Sequence, residues 1–256
     1  MWALKRKFLI VFTFIIIIIS FSYVVYSNFY KKDPTCFDKT QNGTEEGVDC
    51  GGVCEEVCSF KATDVNVFWS RIFHVADGVS NMAALIENPN FDYALNGVFS
   101  IKVLDEEGIR LVDFKKKINL YPSEKRLLFL SSLETGEESL KRAFVKLEKI
   151  DSLVKAAPIK NKLEIISKRF DVENNNLSKV SIIIKNEDLV SKENIEIAVV
   201  LYDREESVLD VGKTFLSYIG PREEKEVYVT WPKSFEILPT QTEVFIRIMK
   251  NEELFF

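Results

Sequence analysis

The chain has 256 residues, 46% of them apolar and 29% charged, with a single histidine and a formal net charge of -5. That charge forms no block of one sign, so a nucleic-acid partner is not expected. One histidine cannot build a His-rich metal site, and no GxSxG, Gly-rich phosphate loop or HExxH occurs, so enzyme activity is not expected either.

Residues 1–7 form a short cytoplasmic tail carrying Lys5, Arg6 and Lys7, and the run from Phe8 to Tyr26 after them contains no charge, Pro or Gly. Such a run approaches the ~20 residues a helix needs to cross the hydrocarbon core with every backbone hydrogen bond made internally. It predicts a transmembrane signal anchor over 8–27 that meets the lipid bilayer through 8–26, with the N-terminus cytoplasmic because basic flanks stay inside. Lys31 and Lys32 on the far side weaken that orientation without reversing it. A cleaved signal peptide competes, with Ser20 and Ser22 or Val25 and Ser27 as small cleavage-site residues, but the run exceeds the 7 to 15 residues of a signal h-region. Both readings export the rest of the chain.

All four cysteines, Cys36, Cys50, Cys54 and Cys58, follow within residues 33–59. Outside the cytoplasm an even, closely spaced set reads first as disulfides, here a stapled collar with three possible pairings. Zinc is the runner-up; however, the spacing is not a paired CxxC knuckle, and His74 lies well beyond Cys58. Redox catalysis lacks a CxxC. Between Cys36 and Cys50, Asp38, Thr40, Asn42, Gly43 and Asp49 fall on positions 1, 3, 5, 6 and 12 of the calcium-loop template, and Glu45 and Glu46 add carboxylate. Asp38, Asn42, Glu45 and Asp49 are therefore the candidate Ca2+ ligands. The alternative is a polar turn closed by disulfides, with Gly43, Gly47, Gly51 and Gly52 supplying positive φ.

The segment resembles a short cysteine module of bacterial surface and exported proteins, C-x-D-G-x-x-N-G-x-E-x-G-V-D-C-G-G-x-C. It matches at Cys36, Asp38, Asn42, Gly43, Glu45, Gly47 to Gly52 and Cys54, and it has Lys39 where the module has Gly. The resemblance implies an exported surface protein and no activity.

Beyond the collar, "ALIENPNFDYALNGVFSIKVLDEEG" parallels "SIIIKNEDLVSKENIEIAVVLYDREES". Asn88 precedes Asp105, and Asn186 precedes Asp203, by the same seventeen residues, and Pro122 and Pro221 follow Asp105 and Asp203 by seventeen and eighteen. An offset of 98 residues implies two copies of one domain, 60–157 and 158–256, with "AAP" at 156–158 as the linker. Phe99, Ile101 and Val103 alternate with Ser100 and Lys102, while Ile195, Ile197, Val199 and Leu201 oppose Glu196 and Ala198, the pattern of half-buried strands. Further strands are expected at 181–185, 226–231 and 243–249. Breaks at "ENPN", "DEEG", "YPSE", "NNN" and "GPRE" point to antiparallel sandwiches. The stretch "EESLKRAFVKLEKIDSLVK" is read as strand, with a helical stripe of Leu140, Phe144 and Leu147 as the alternative.

Both copies are similar to FxLYD-type and related immunoglobulin-like or fibronectin-like modules of bacterial exported proteins, through "IIKN" at 183–186, "VVLYD" at 199–203 and "IKVLD" at 101–105. The resemblance implies an adaptor or ligand-facing sandwich without catalytic residues.

The expected fold is therefore all-β, with two tandem immunoglobulin-like or fibronectin-like β-sandwiches after an N-terminal transmembrane helix and a small disulfide-rich segment. His74 reads as structural, and Asp105 and Asp203 as strand-ending turn residues. Trp69, Phe68, Phe73, Tyr202, Tyr218, Tyr228 and Trp231 read as packing residues, with a binding patch as the alternative. The expected function is a non-enzymatic, membrane-anchored envelope scaffold for binding or assembly with a protein partner. The alternative is an accessory protein that binds a solute or polysaccharide.

Overall fold

A computed structural model describes residues 2–27, 35–134, 140–159, 161–173 and 177–249. Lys31, Lys32 and the "NNN" break at 174–176 lie outside the described residues. The chain divides into two compact units, Met1–Cys58 and Ser59–Phe256.

The first unit begins with helix α1, Trp2–Val25. Its Arg6–Val25 portion has a mean hydropathy of 2.8 and is apolar on every side, with Phe8, Ile16, Phe21 and Tyr23 all exposed. A helix that is hydrophobic all round cannot pack one face on a soluble core, so α1 is long and apolar enough to cross a bilayer. Thr13, one of its few polar residues, donates its hydroxyl to the Leu9 and Ile10 carbonyls at 3.1 and 2.8 Å, so it brings no unsatisfied donor.

Among the described residues, the second unit contains twelve strands in four antiparallel three-stranded sheets. In the first sandwich, sheet I has the order β4-β3-β6 (Arg110–Leu120, Tyr93–Leu104, Arg142–Lys155) and sheet II has β1-β2-β5 (Asn66–Ala76, Val79–Glu87, Lys125–Glu134). In the second, sheet III has β10-β9-β12 (Val208–Ile219, Lys192–Tyr202, Gln241–Ile248) and sheet IV has β11-β8-β7 (Glu224–Trp231, Ser178–Asn186, Leu163–Val172). The stretch with the helical alternative is strand β6, whose Ala143 and Val145 pair with Val103 and Ile101.

Period-two patterning places the cores. Met82, Ile86, Leu95, Phe99 and Ile101 are fully buried in the first sandwich. In the second, Val180, Ile182 and Ile184 of β8 meet Ile195, Ile197, Val199 and Leu201 of β9, with Trp231 closing one side.

The Asn and Asp recurrence has a hydrogen-bonding cause. Asn88 is fully buried and donates to the carbonyls of Tyr93 at 2.8 Å and Tyr121 at 3.0 Å, which ties the β2–β3 loop to the β4–β5 loop. Asn186 does the same work with Val190 and Gly220, both at 2.8 Å. Asp105 accepts from the Ile109 N–H at 2.7 Å, and Asp203 accepts from Glu205 and Ser207 at 2.8 Å, each capping the turn after its strand. These acids organise hairpins, as their sequence context implies.

One expectation fails. The face of β9 opposite the core is not solvated, because Glu196, Ala198 and Val200 are all buried. Ala198, Val200, Val208 and Val211 form one apolar cluster with Phe73, Ala83, Leu85 and Leu127 of sheet II, rimmed by Trp69, Phe129, Tyr202 and Phe245. Sheet II thus packs its outward face on sheet III, and the two sandwiches stack as four layers in the order I, II, III, IV. β9 is buried on both faces, which is why its apolar run breaks the alternation.

Candidate functional site

The collar is the first candidate. Its four cysteines form the crossed pairs Cys36–Cys54 and Cys50–Cys58, with Cα separations of 5.7 and 5.0 Å. No thiolate is left for zinc. The Cys36 and Cys54 sulfurs lie within 4.8 Å of a Glu45 oxygen, but both are spent in the disulfide.

Asp38, Asn42, Glu45 and Asp49 do come together, through hydrogen bonds to the chain itself. Asp49 accepts from the Asp38 N–H at 2.9 Å and from the Lys39 N–H at 2.9 Å. Asp38 accepts from the Thr40 N–H at 2.9 Å and the Asn42 amide at 2.8 Å, and Glu45 accepts from the Asn42 N–H at 3.1 Å. The carboxylates therefore act as turn organisers, and an arriving Ca2+ would compete with these donors. Asn42 Oδ1 is buried without a hydrogen-bond partner.

Positive φ is distributed differently from the expectation. Gly43, Gly51 and Gly52 adopt it, whereas Gly47 instead bridges Cys50. Lys39 adopts φ of 61° at the position where the similar module has Gly. A Cβ on Gly52 would lie 2.0 Å from the Thr44 carbonyl oxygen, so that position excludes any side chain.

Closing loops of this length contributes about 3 kcal/mol each, and both loops lie in the first unit. Reduction is accordingly expected to expose residues 36–58 to proteolysis and leave the thermal transition of the strands in place. A fall in that transition by more than about 4 °C, the equivalent of roughly 1 kcal/mol, would contradict this.

The second candidate is the junction between sheets II and III. Its polar edge consists of cations that reach across the layers. Arg247 pairs with Glu124, donates to the Asn119 carbonyl at 3.3 Å and lies 5.3 Å over the Tyr121 ring. Arg71 donates to the Val208 carbonyl at 3.1 Å. Lys213 bonds Glu196 at 3.1 Å while lying 5.6 Å from the Phe129 ring centre. Burial holds the Lys116 ammonium below its usual range, and the neighbouring Arg126 and Lys213 charges push the same way.

The named aromatics divide. Trp69, Phe73 and Tyr202 belong to the junction and Trp231 to the core. Phe68, Tyr218 and Tyr228 are exposed on three different sheets, each with a lysine over its ring, so they form no common patch. His74 is an exposed strand residue opposite Ser80.

Asp188, in the β8–β9 loop, shows how the loops respond to pH. Lys192 at 2.9 Å and the Leu189 N–H at 2.8 Å hold its carboxyl down to about 2, from an ordinary 3.8. A depressed carboxyl contributes stability above its unfolded value and loses it as pH falls toward the folded one. Asp188→Asn is therefore expected to lower the melting temperature at neutral pH, with the difference closing between about pH 4 and 2.

No family model and no curated protein matches this chain. Among solved structures it is similar to red sea bream transglutaminase, at 10% identity and a TM-score of 0.22 over 73% of this chain and 31% of that one. It is also similar to a β-glucuronidase from glycoside hydrolase family 2, at 11% identity and a TM-score of 0.23 over 78% and 25%. A third is the CBM22-1-CBM22-2 tandem domain of Paenibacillus barcinonensis Xyn10C, at 8% and 0.16 over 76% and 89%. The chain thus spans about a third and a quarter of the first two.

Proposed function

We propose that this chain is a non-enzymatic, single-pass envelope protein. In this reading α1 anchors it in the bilayer through residues 8–26 with the N-terminus cytoplasmic, the collar is a covalently closed link, and the sandwiches stand outside as a scaffold for a protein or polymer partner. The observation that carries the reading is the apolar junction between sheets II and III. It turns two copies of one module into a single stiff body, where a flexible pair of beads would present no fixed surface. Each fully buried Val, Leu or Phe side chain there contributes about 1.5–3 kcal/mol relative to exposure.

Protease added to intact cells that produce the full chain should remove the sandwiches and leave the anchor in the membrane fraction. All four cysteines should resist alkylation until reductant is added. Protection of the sandwiches from external protease, or free alkylation of the cysteines, would overturn the extracytoplasmic placement.

A further inference from the structure

The outermost layer of the stack, sheet I, carries a surface that differs from the rest of this acidic chain. The register places Lys115 beside Ser100 and Lys117 beside Val98 on one side of β3. On the other side it places Phe144 beside Lys102, Lys146 beside Ser100 and Lys149 beside Val98, with Arg142 at the end beside Leu104. Phe99, Ile101 and Val103 fill the core, so by alternation Lys102, Lys115, Lys117, Lys146, Lys149 and Arg142 share the outward face. Three carboxylates meet these six cations: Asp113 beside Lys102, Glu148 at 2.5 Å from Lys115, and Asp151 at 3.5 and 3.0 Å from Lys117 and Lys149. Among the described residues Lys102, Lys146 and Arg142 have no ion-pair partner. On the opposite outer layer, sheet IV, the β8 lysines are paired, Lys179 with Glu173 at 2.6 Å and Lys185 with Glu187 at 2.8 Å.

Lysines on edge strands guard against sheet-to-sheet pairing, which suffices for Lys115 and Lys117 on β4. Lys102 lies on the central strand, where there is no edge to guard. The floor between the lysines is also unfinished, because Ser100 is 5% exposed and its hydroxyl has no hydrogen-bond partner. In the second copy the matching positions, 98 residues on, are Ala198 and Val200, which bury themselves against sheet II. One face thus docks in one copy and stands open and cationic in the other.

We propose that this face binds an extended anionic polysaccharide. The cations run from the Leu104 row to the Val98 row, about 20 Å along β3 at roughly 3.3 Å per residue, too far apart for one small anion to touch. The face continues around the β6 edge into an open cleft lined by Arg71, Lys141 and Arg142. Phe144, half-exposed between Arg142 and Lys146, can lie under a sugar ring, and Ser100 can pair with a hydroxyl. Duplex DNA, with one charge per ~1.7 Å, fits less well, because its bases are stacked on one another and offer Phe144 no exposed ring face. Access to such a polymer outside the cell rests on the extracytoplasmic placement; the binding chemistry does not.

The test is affinity electrophoresis of the full chain in neutral detergent through gels that contain polygalacturonate, a phosphomannan, neutral dextran or duplex DNA. Retardation by either anionic glycan, with none by dextran, supports the proposal and shows whether carboxylate or phosphate is preferred. The combined variant Lys102→Glu, Arg142→Glu and Lys146→Glu should weaken retardation at least about tenfold, and the sheet IV control Lys179→Glu with Lys185→Glu should not. Should the triple variant melt early, wild-type affinity must still fall steeply with added salt. No retardation by either glycan, an equal loss in the control, or tighter binding of DNA than of both glycans would overturn it. Failure here leaves the membrane placement intact, since protease and alkylation read that separately.

Discussion

Replacing Val200 by Asp is expected to part the two sandwiches while both stay folded. Val200 is fully buried in the junction, on the outward face of β9. A carboxylate there has no cation within the apolar cluster, and an unpaired buried charge costs several kcal/mol, roughly 4 or more, unless the surface opens to water. Opening the junction relieves that cost without disturbing the inward set Ile197, Val199 and Leu201. The wild type should melt in one transition and the variant in two, and emission from Trp69 at the junction rim should shift to the red while Trp231 stays in its core. Val199→Asp, one residue away on the other face, should instead unfold the second sandwich. If Val200→Asp kept one transition and unchanged emission, the sheet II to sheet III packing would be wrong.

The same strand shows where sequence reading stops. Ile195, Ile197, Val199 and Leu201 are legible as a core face because their spacing matches the pleat, and that spacing also places β3, β8 and β11. The other face reads as solvent-facing from Glu196 and Ala198. Val200 was the available warning, since an apolar run on both parities of a strand means burial on both sides. Its partners Ala83 and Leu85 sit in "MAALIE", another run without alternation, about 115 residues away, and nothing local joins the two. In the collar, oxidised cysteines are legible from compartment and number, but the crossed pairing is not, because three connectivities fit the same spacing. Asp38 and Asp49 match a calcium template, yet only the fold shows that backbone N–H groups already occupy their oxygens. The cationic face is hidden for another reason. Its cations are spread over three strands and, apart from the short run Lys115 to Lys117, stand singly between core residues, so no extended block of charge marks the face in the linear sequence.

Asn186→Ala is expected to destabilise the second sandwich by about 3 kcal/mol, and Asn186→Asp by more. Alanine removes both donations, to Val190 and Gly220, and the acceptor that holds the Asp188 N–H at 3.0 Å. The Gly220 carbonyl is then stranded in a buried site, at about 1–3 kcal/mol for an unsatisfied group, while the part-buried Val190 carbonyl loses its donor as well. Aspartate keeps the acceptor but replaces the amide donor with a second oxygen facing both carbonyls, a buried charge among acceptors. Burial raises the pKa of such a carboxyl in the folded state, so its cost should ease as pH falls through that value and the acid becomes a donor. Melting curves from pH 7 to 4 would show Asn186→Asp recovering toward wild type while Asn186→Ala stays parallel to it. Asn88→Ala should act alike in the first sandwich, where Asn88 spans the same two loops. If all three variants melted like the wild type, the recurrence of Asn88 and Asn186 at one offset would need a cause other than this loop staple.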